Sequence, residues 1–82
     1  MKPTAQIRIV KTLQQYPKGF EGTYQDLAKR AGLSWPSARD ACIRLERKNI
    51  LKISRRYQFK SMYHKFFILD FSEAEKFLKN FA

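Results

Sequence analysis

Gly32-Leu33-Ser34 is a three-residue break between two segments of helical apolar spacing, and it constrains the fold of this chain more than any other feature. Upstream, Thr23-Tyr24-Gln25-Asp26 carries a helix-start signature: a threonine cap with a carboxylate at N3, placed to bond back to the cap and to favour the helix dipole. Leu27, Ala28 and Ala31 then face inward, and Gly32 stops the helix because glycine accepts positive φ. Downstream, Ser34 caps a further helix, with Pro36 in its first turn, where a missing N–H costs nothing. That helix runs to about Lys48, and Asn49 tolerates the left-handed conformation that ends it. Ala38, Ala41, Cys42 and Leu45 share one of its faces, and small side chains there let the two helices cross closely.

The flanks are less sharply marked. Residues 4–16 predict a first helix, with Thr4 as cap and Ile7, Val10, Leu13 and Tyr16 along one stripe. Ile9 falls off that stripe and is expected to face a partner. Pro17-Lys18-Gly19 ends the helix, and Phe20 to Gly22 reads as a short extended link. Residues 50–69 change to a period of two, predicting two half-buried strands with Leu51, Ile53, Phe67 and Leu69 on the apolar side. The stretch between contains no Gly, Pro, Asn or Asp, so the turn chemistry is not legible; the tip is expected near Phe59 to Met62. A last helix is expected over about 72–81, opening at Asp70 or Ser72. Ala74, Phe77, Leu78 and Phe81 form its apolar stripe.

Composition narrows the function. The 82 residues carry 17 Lys plus Arg against 7 Asp plus Glu, a net charge of +10. Residues 29–65 hold eleven of the cations and only Asp40 and Glu46 of the acids, hence nine of the ten net charges. A segregated basic block on a small chain suits a polyanionic partner. One cysteine and one histidine exclude an internal disulfide and a four-ligand zinc site within one chain. No P-loop, H-E-x-x-H or paired-acid motif is present, so neither enzyme chemistry nor a cofactor is expected. The longest apolar run, Phe66 to Leu69, is far too short to span a membrane, and the first residues lack the apolar core of a secretory signal. The expected location is cytoplasmic, on the nucleoid or in a host cytoplasm.

The phrase D-L-A-x-x-A-G-L-S, from Asp26 to Ser34, is followed by R-L-E-R-K-N-I-L, from Arg44 to Leu51. Together they resemble the winged helix-turn-helix of MarR-like and related small bacterial, archaeal and viral regulators, over residues 5–69. The resemblance implies an α+β fold: a three-helix core, a β-hairpin wing and an extra C-terminal helix, as one domain over 1–82. The helix-turn-helix would span about 23–48 and the wing about 50–69. Three features depart from the pattern: Trp35 and Pro36 together at the head of the third helix, Asn49 in place of the usual glycine, and a wing tip without glycine. With a single helix after the wing, no ligand-sensing domain is expected.

The outward face of the third helix carries Pro36, Asp40, Ile43, Arg44 and Arg47, flanked by Ser37 and Arg39. An α-helix fits the major groove of B-DNA, and guanidinium groups match guanine O6/N7 or phosphate. Ser34, Trp35 and Lys48 complete the contact set on this helix. Arg44 either reads DNA or pairs with Asp40 at i, i+4, and Asp40 is expected to hold it. Ile43 either meets a thymine methyl or packs inward. Trp35 either stacks on a sugar or, the safer reading, packs over the turn. Arg55, Arg56 and Lys60 on the wing are expected at the minor groove or its phosphates, helped by Tyr57, Tyr63 and His64. Their alternative is protection of a strand edge. Thr23, Tyr24 and Gln25 either offer backbone N–H groups to a phosphate or, equally for Thr23, serve simple capping, and Cys42 reads as a small core residue.

The expected function is sequence-specific binding of double-stranded DNA, with transcription regulated by promoter occupancy. The alternatives are a winged-helix protein-interaction module and a replication or partition accessory protein. A homodimer is expected, held by Ile9, Phe71, Phe77, Leu78 and Phe81, because so many large apolar side chains exceed what one small core needs.

Overall fold

The computed structural model describes residues 2–58 and 61–81, with side chains for 2–55 and 64–81. The elements run α1 (Thr4–Gln14), β1 (Phe20–Gly22), α2 (Tyr24–Ala31), α3 (Trp35–Arg47), β2 (Leu51–Gln58), β3 (Ser61–Ile68) and α4 (Phe71–Lys79). The core lies between the helices and one face of a three-stranded antiparallel sheet of order β1-β3-β2.

The central pair of helices forms as its local signals dictate. Thr23 and Asp26 make a reciprocal capping box: the Asp26 N–H donates to Thr23 Oγ1 at 3.1 Å, and the Thr23 N–H donates to Asp26 Oδ2 at 3.0 Å. Hydrogen bonding of the Asp26 carboxylate, first to the Thr23 backbone and then to the Thr23 side chain, lowers its pKa. Gly32 adopts φ 69° and closes α2, with the Leu33 N–H returning to the Ala28 carbonyl at 2.9 Å. The Arg8 guanidinium of α1 donates to the Gly32 carbonyl at 3.0 Å, so the tight turn is also held from below. Ser34 caps α3 through the Ser37 N–H. Asn49, at φ 60°, ends α3 in the left-handed region, as its residue type predicts.

α1 differs in detail. Pro3 stands at its N-cap, and no side chain caps it. Gln6, Ile9, Val10 and Leu13 are its buried residues. Ile9 is therefore a core side chain, at 0% exposure, and not a partner contact. At about 100° per residue Ile7 and Ile9 lie roughly 160° apart. α1 is covered on two sides: Ile9 enters the main core, and Ile7 lines a groove shared with α4.

The sheet corrects two expectations. Phe20–Gly22 is a strand, pairing Phe20 with Phe66 and Gly22 with His64. In β3 the inward residues are His64, Phe66 and Ile68, whereas Leu69 is 49% exposed. Leu51 pairs with Ile68 and Ile53 with Phe66, so the apolar face of β2 selects the even-numbered residues of β3. The run Phe66-Phe67-Ile68-Leu69 is apolar at both parities and cannot announce which one is inward. The hairpin stays paired out to Gln58 and Ser61.

α4 starts at Phe71, capped by Asp70, whose Oδ1 accepts from the N–H groups of Ser72 and Glu73 at 2.8 and 3.3 Å. Ala74 and Phe77 close the core from this side. Phe77, expected between copies, is 7% exposed and packs edge-on against Phe81. Leu78 and Phe81 are part-buried beside it. Among the described residues no helix is long and apolar enough to cross a membrane.

Candidate nucleic-acid interface

Burial of Ala38, Ala41, Cys42 and Leu45 fixes the rotation of α3. Ser34, Trp35, Pro36, Ser37, Arg39, Asp40, Arg44 and Arg47 are all exposed, and Ile43 is half-buried between the two faces. Trp35, expected to pack over the turn, keeps 49% of its surface exposed. The Cys42 thiol is sealed in the core, and burial pushes its pKa up to about 12, which removes any nucleophilic character at neutral pH.

The cations of this face stand in different states. Arg44 Nε donates to Asp40 Oδ2 at 2.9 Å, one turn back on the same helix. The bond engages the Nε edge and leaves both terminal nitrogens without a partner among the described residues, so Asp40 orients Arg44 without using its fork. Arg39 and Arg47 make no hydrogen bond or ion pair among the described residues. Three guanidinium groups on one exposed helix face can form paired hydrogen bonds to a guanine edge or to phosphate oxygens.

Lys48 does not belong to this group. Its Nζ donates to Gln6 Oε1 at 3.0 Å and lies 5.2 Å from the centroid of the Phe77 ring. Lys48 follows Leu45 by three residues, about 60° from the buried face, so it turns toward α1 and α4.

Arg55 is also engaged. Its Nη1 donates to Glu46 Oε2 at 3.1 Å and its Nη2 to Glu46 Oε1 at 3.0 Å. Leu51, Ile53 and Arg55 alternate onto the sheet face that packs on the helices, which brings Arg55 to α3. The pair lowers the Glu46 pKa and raises that of Arg55, each chiefly through this hydrogen bonding. Arg56 lies in β2 with its backbone paired to Tyr63; its side chain and those of Tyr57 and Tyr63 are outside the described residues, as is Lys60.

His64 is not a surface ligand for phosphate. It is 1% exposed, its ring meets Tyr24 at 5.0 Å and Phe66 at 5.9 Å, and neither ring nitrogen has a partner among the described residues. Burial first, and Arg55 second, hold its pKa below the ordinary value, so it is neutral at pH 7. At the start of α2 the Thr23 N–H is taken by Asp26, and the Tyr24 residue is buried.

One element of this surface escaped the sequence reading. A groove of about 310 Å³ between the start of α1 and the middle of α3 is lined by Lys2, Ala5, Gln6, Asp40 and Arg44, among others. It brings Lys2 into one concavity with Arg44, and nothing in the local pattern of residues 2–6 links the two. Among the described residues no group of three His, Cys, Asp or Glu side chains could hold a metal.

Three helices in this arrangement, with a tight turn between α2 and α3 and a hairpin following, define a winged helix-turn-helix. A solved structure described as a possible transcriptional regulator from Methanosarcina mazei Go1 has this fold, with a TM-score of 0.72 over 93% of the present chain at 16% identity. The chain spans 63% of the length of that structure. No family model matches the sequence, and no curated protein matches it either.

Proposed function

We propose that this chain binds double-stranded DNA sequence-specifically and regulates transcription by occupying promoter DNA. In this reading α3 enters a major groove and the wing lies on the neighbouring minor groove or backbone. The observation that carries it is the exposed face of α3, where Arg39 and Arg47 are unpaired among the described residues and Arg44 is oriented by Asp40. The net charge of +10 supports the same partner. The Methanosarcina mazei protein, itself described as a possible transcriptional regulator, has the same fold, which fits this role. Within the class we place the chain beside the small MarR-like regulators, on the D-L-A-x-x-A-G-L-S phrase.

A homodimer is part of the proposal. With Ile9 and Phe77 inside the core, the surface left for a second copy is Phe71, 43% exposed, with the part-buried Leu78 and Phe81 beside a groove of about 230 Å³.

The test is a duplex-binding titration across salt. If about six phosphates are neutralised per protomer, log K falls against log salt with a slope near −5. Absence of binding at low salt, or a flat salt response, overturns the reading.

A further inference from the structure

Glu46 is an acid next to Arg47 in the last turn of the helix that carries the candidate interface, where a negative charge opposes DNA. Its carboxylate faces Arg55 of β2 in a two-point fork at 3.0 and 3.1 Å. Both side chains keep solvent contact, at 41% for Arg55 and 30% for Glu46, so the pair adds little to stability. A bidentate fork fixes orientation in a way that a single bond cannot. Among the described residues it is the ion pair that joins a wing strand to α3. It lies close to the junction where Asn49 turns the chain from helix to strand at φ 60°.

We propose that Glu46 and Arg55 are positioning residues that set the wing against α3, so that both elements meet one DNA site in register. This rests on the DNA-binding reading above and deepens it. Arg55 then acts through Glu46 and does not contact phosphate; a phosphate approaching Arg55 would meet the carboxylate already seated on its two terminal nitrogens. The proposal has a distinctive sign. On charge alone, removing the Glu46 carboxylate tightens binding to any DNA. Removing a positioning contact loosens binding to the selected site alone.

The experiment measures the affinity of the full chain for a selected duplex and for a random duplex of equal length, by fluorescence anisotropy. Four proteins are compared: wild type, Glu46→Gln, Arg55→Glu, and the exchange of Glu46→Arg with Arg55→Glu. Glu46→Gln is expected to lose roughly two- to fivefold on the selected duplex, the range that an exposed ion pair can couple. It should lose nothing on the random duplex and keep the wild-type salt slope. Arg55→Glu loses more, and the exchange recovers to within about twofold of wild type on the selected duplex. Glu46→Asp, which keeps the charge but shortens the reach, should match Glu46→Gln and serves as the control should the exchange melt early. Equal or tighter binding of Glu46→Gln to the selected duplex overturns the proposal. So does an exchange variant that folds but stays as weak as Arg55→Glu, which would assign Arg55 to phosphate. Failure of wild type to bind either duplex removes the DNA-binding reading and this inference with it, whereas wild-type binding with an unaffected Glu46→Gln removes this inference alone.

Discussion

Lys48 Nζ donates to Gln6 Oε1 across 3.0 Å, joining the end of α3 to the first turns of α1 through two side chains 42 residues apart. Gln6 is 9% exposed, and this is the bond its amide oxygen makes among the described residues. Lys48→Met keeps an apolar stem over Phe77 but strands that oxygen, and it should cost about 1–2 kcal/mol in denaturant unfolding. DNA affinity and its salt slope should stay at wild-type values. A loss of affinity as large as that of Arg47→Ala would mean that Lys48 reaches DNA after all.

The three arginines of α3 should separate by role. Arg39→Ala and Arg47→Ala remove groups with no ion pair among the described residues; each should weaken the selected site. A base-reading arginine costs about 1–3 kcal/mol and relaxes preference at one position, whereas a phosphate contact weakens all duplexes alike. Asp40→Asn should release Arg44 from its 2.9 Å bond and broaden sequence preference with a small gain in non-specific affinity. Binding-site selection on each variant reads both effects, and unchanged selection in all three variants would mean that α3 faces away from the bases.

His64 links stability to pH with a defined sign. Its folded pKa is depressed by burial and by Arg55, so the unfolded chain takes up its proton first as pH falls. The contribution is fully present above the unfolded value, about 6.5, and is lost as pH drops toward the depressed folded value, at no more than about 1.4 kcal/mol per pH unit. His64→Leu should flatten the stability profile between pH 7 and pH 5.5. It should also raise stability at pH 7 by about 1–2 kcal/mol, because two buried nitrogens without a partner among the described residues disappear. Parallel wild-type and His64→Leu profiles would refute the assignment.

The apolar surface of α4 predicts the oligomeric state. Phe71→Glu should shift a dimer to monomer in sedimentation while leaving unfolding nearly unchanged, because Phe71 is 43% exposed in the single chain. Phe77→Glu should unfold the protein instead, since a carboxylate would enter the core. A wild type that sediments as a folded monomer at tens of micromolar removes the dimer.

The helix-turn-helix was legible because its signals are local. Thr23 with Asp26, Gly32, and Ser34 with Pro36 each act within four residues, and each behaves in the structure as its chemistry dictates. The outward face of α3 followed from the same periodicity. What escaped the sequence depends on distant partners. Whether Phe66 or Phe67 turns inward is decided by Ile53 across the hairpin, and Ile9 is buried because α1 is covered on two sides. Lys48 and Arg55 read as DNA contacts because a basic side chain looks alike whether it faces phosphate, an amide or a carboxylate.

The short strand Phe20–Gly22 ties the start of α2 to the sheet that carries the wing. It lies between α1 and α2, yet its ladder partner is the middle strand of the sheet, at Phe66, Lys65 and His64. The chain from Gly22 to His64 must close as a loop around α2, α3 and β2 before that ladder forms, so this pairing raises contact order and should come late in folding. A fragment cut after α3 would leave Phe20 and Tyr24 without the Phe66 ring they pack against, and a hairpin excised alone would have no third strand. Transplanting the helix-turn-helix into another scaffold is therefore expected to require the sheet with it, and a mutation at the base of the wing is expected to be felt at the start of α2 as a loss of folding cooperativity.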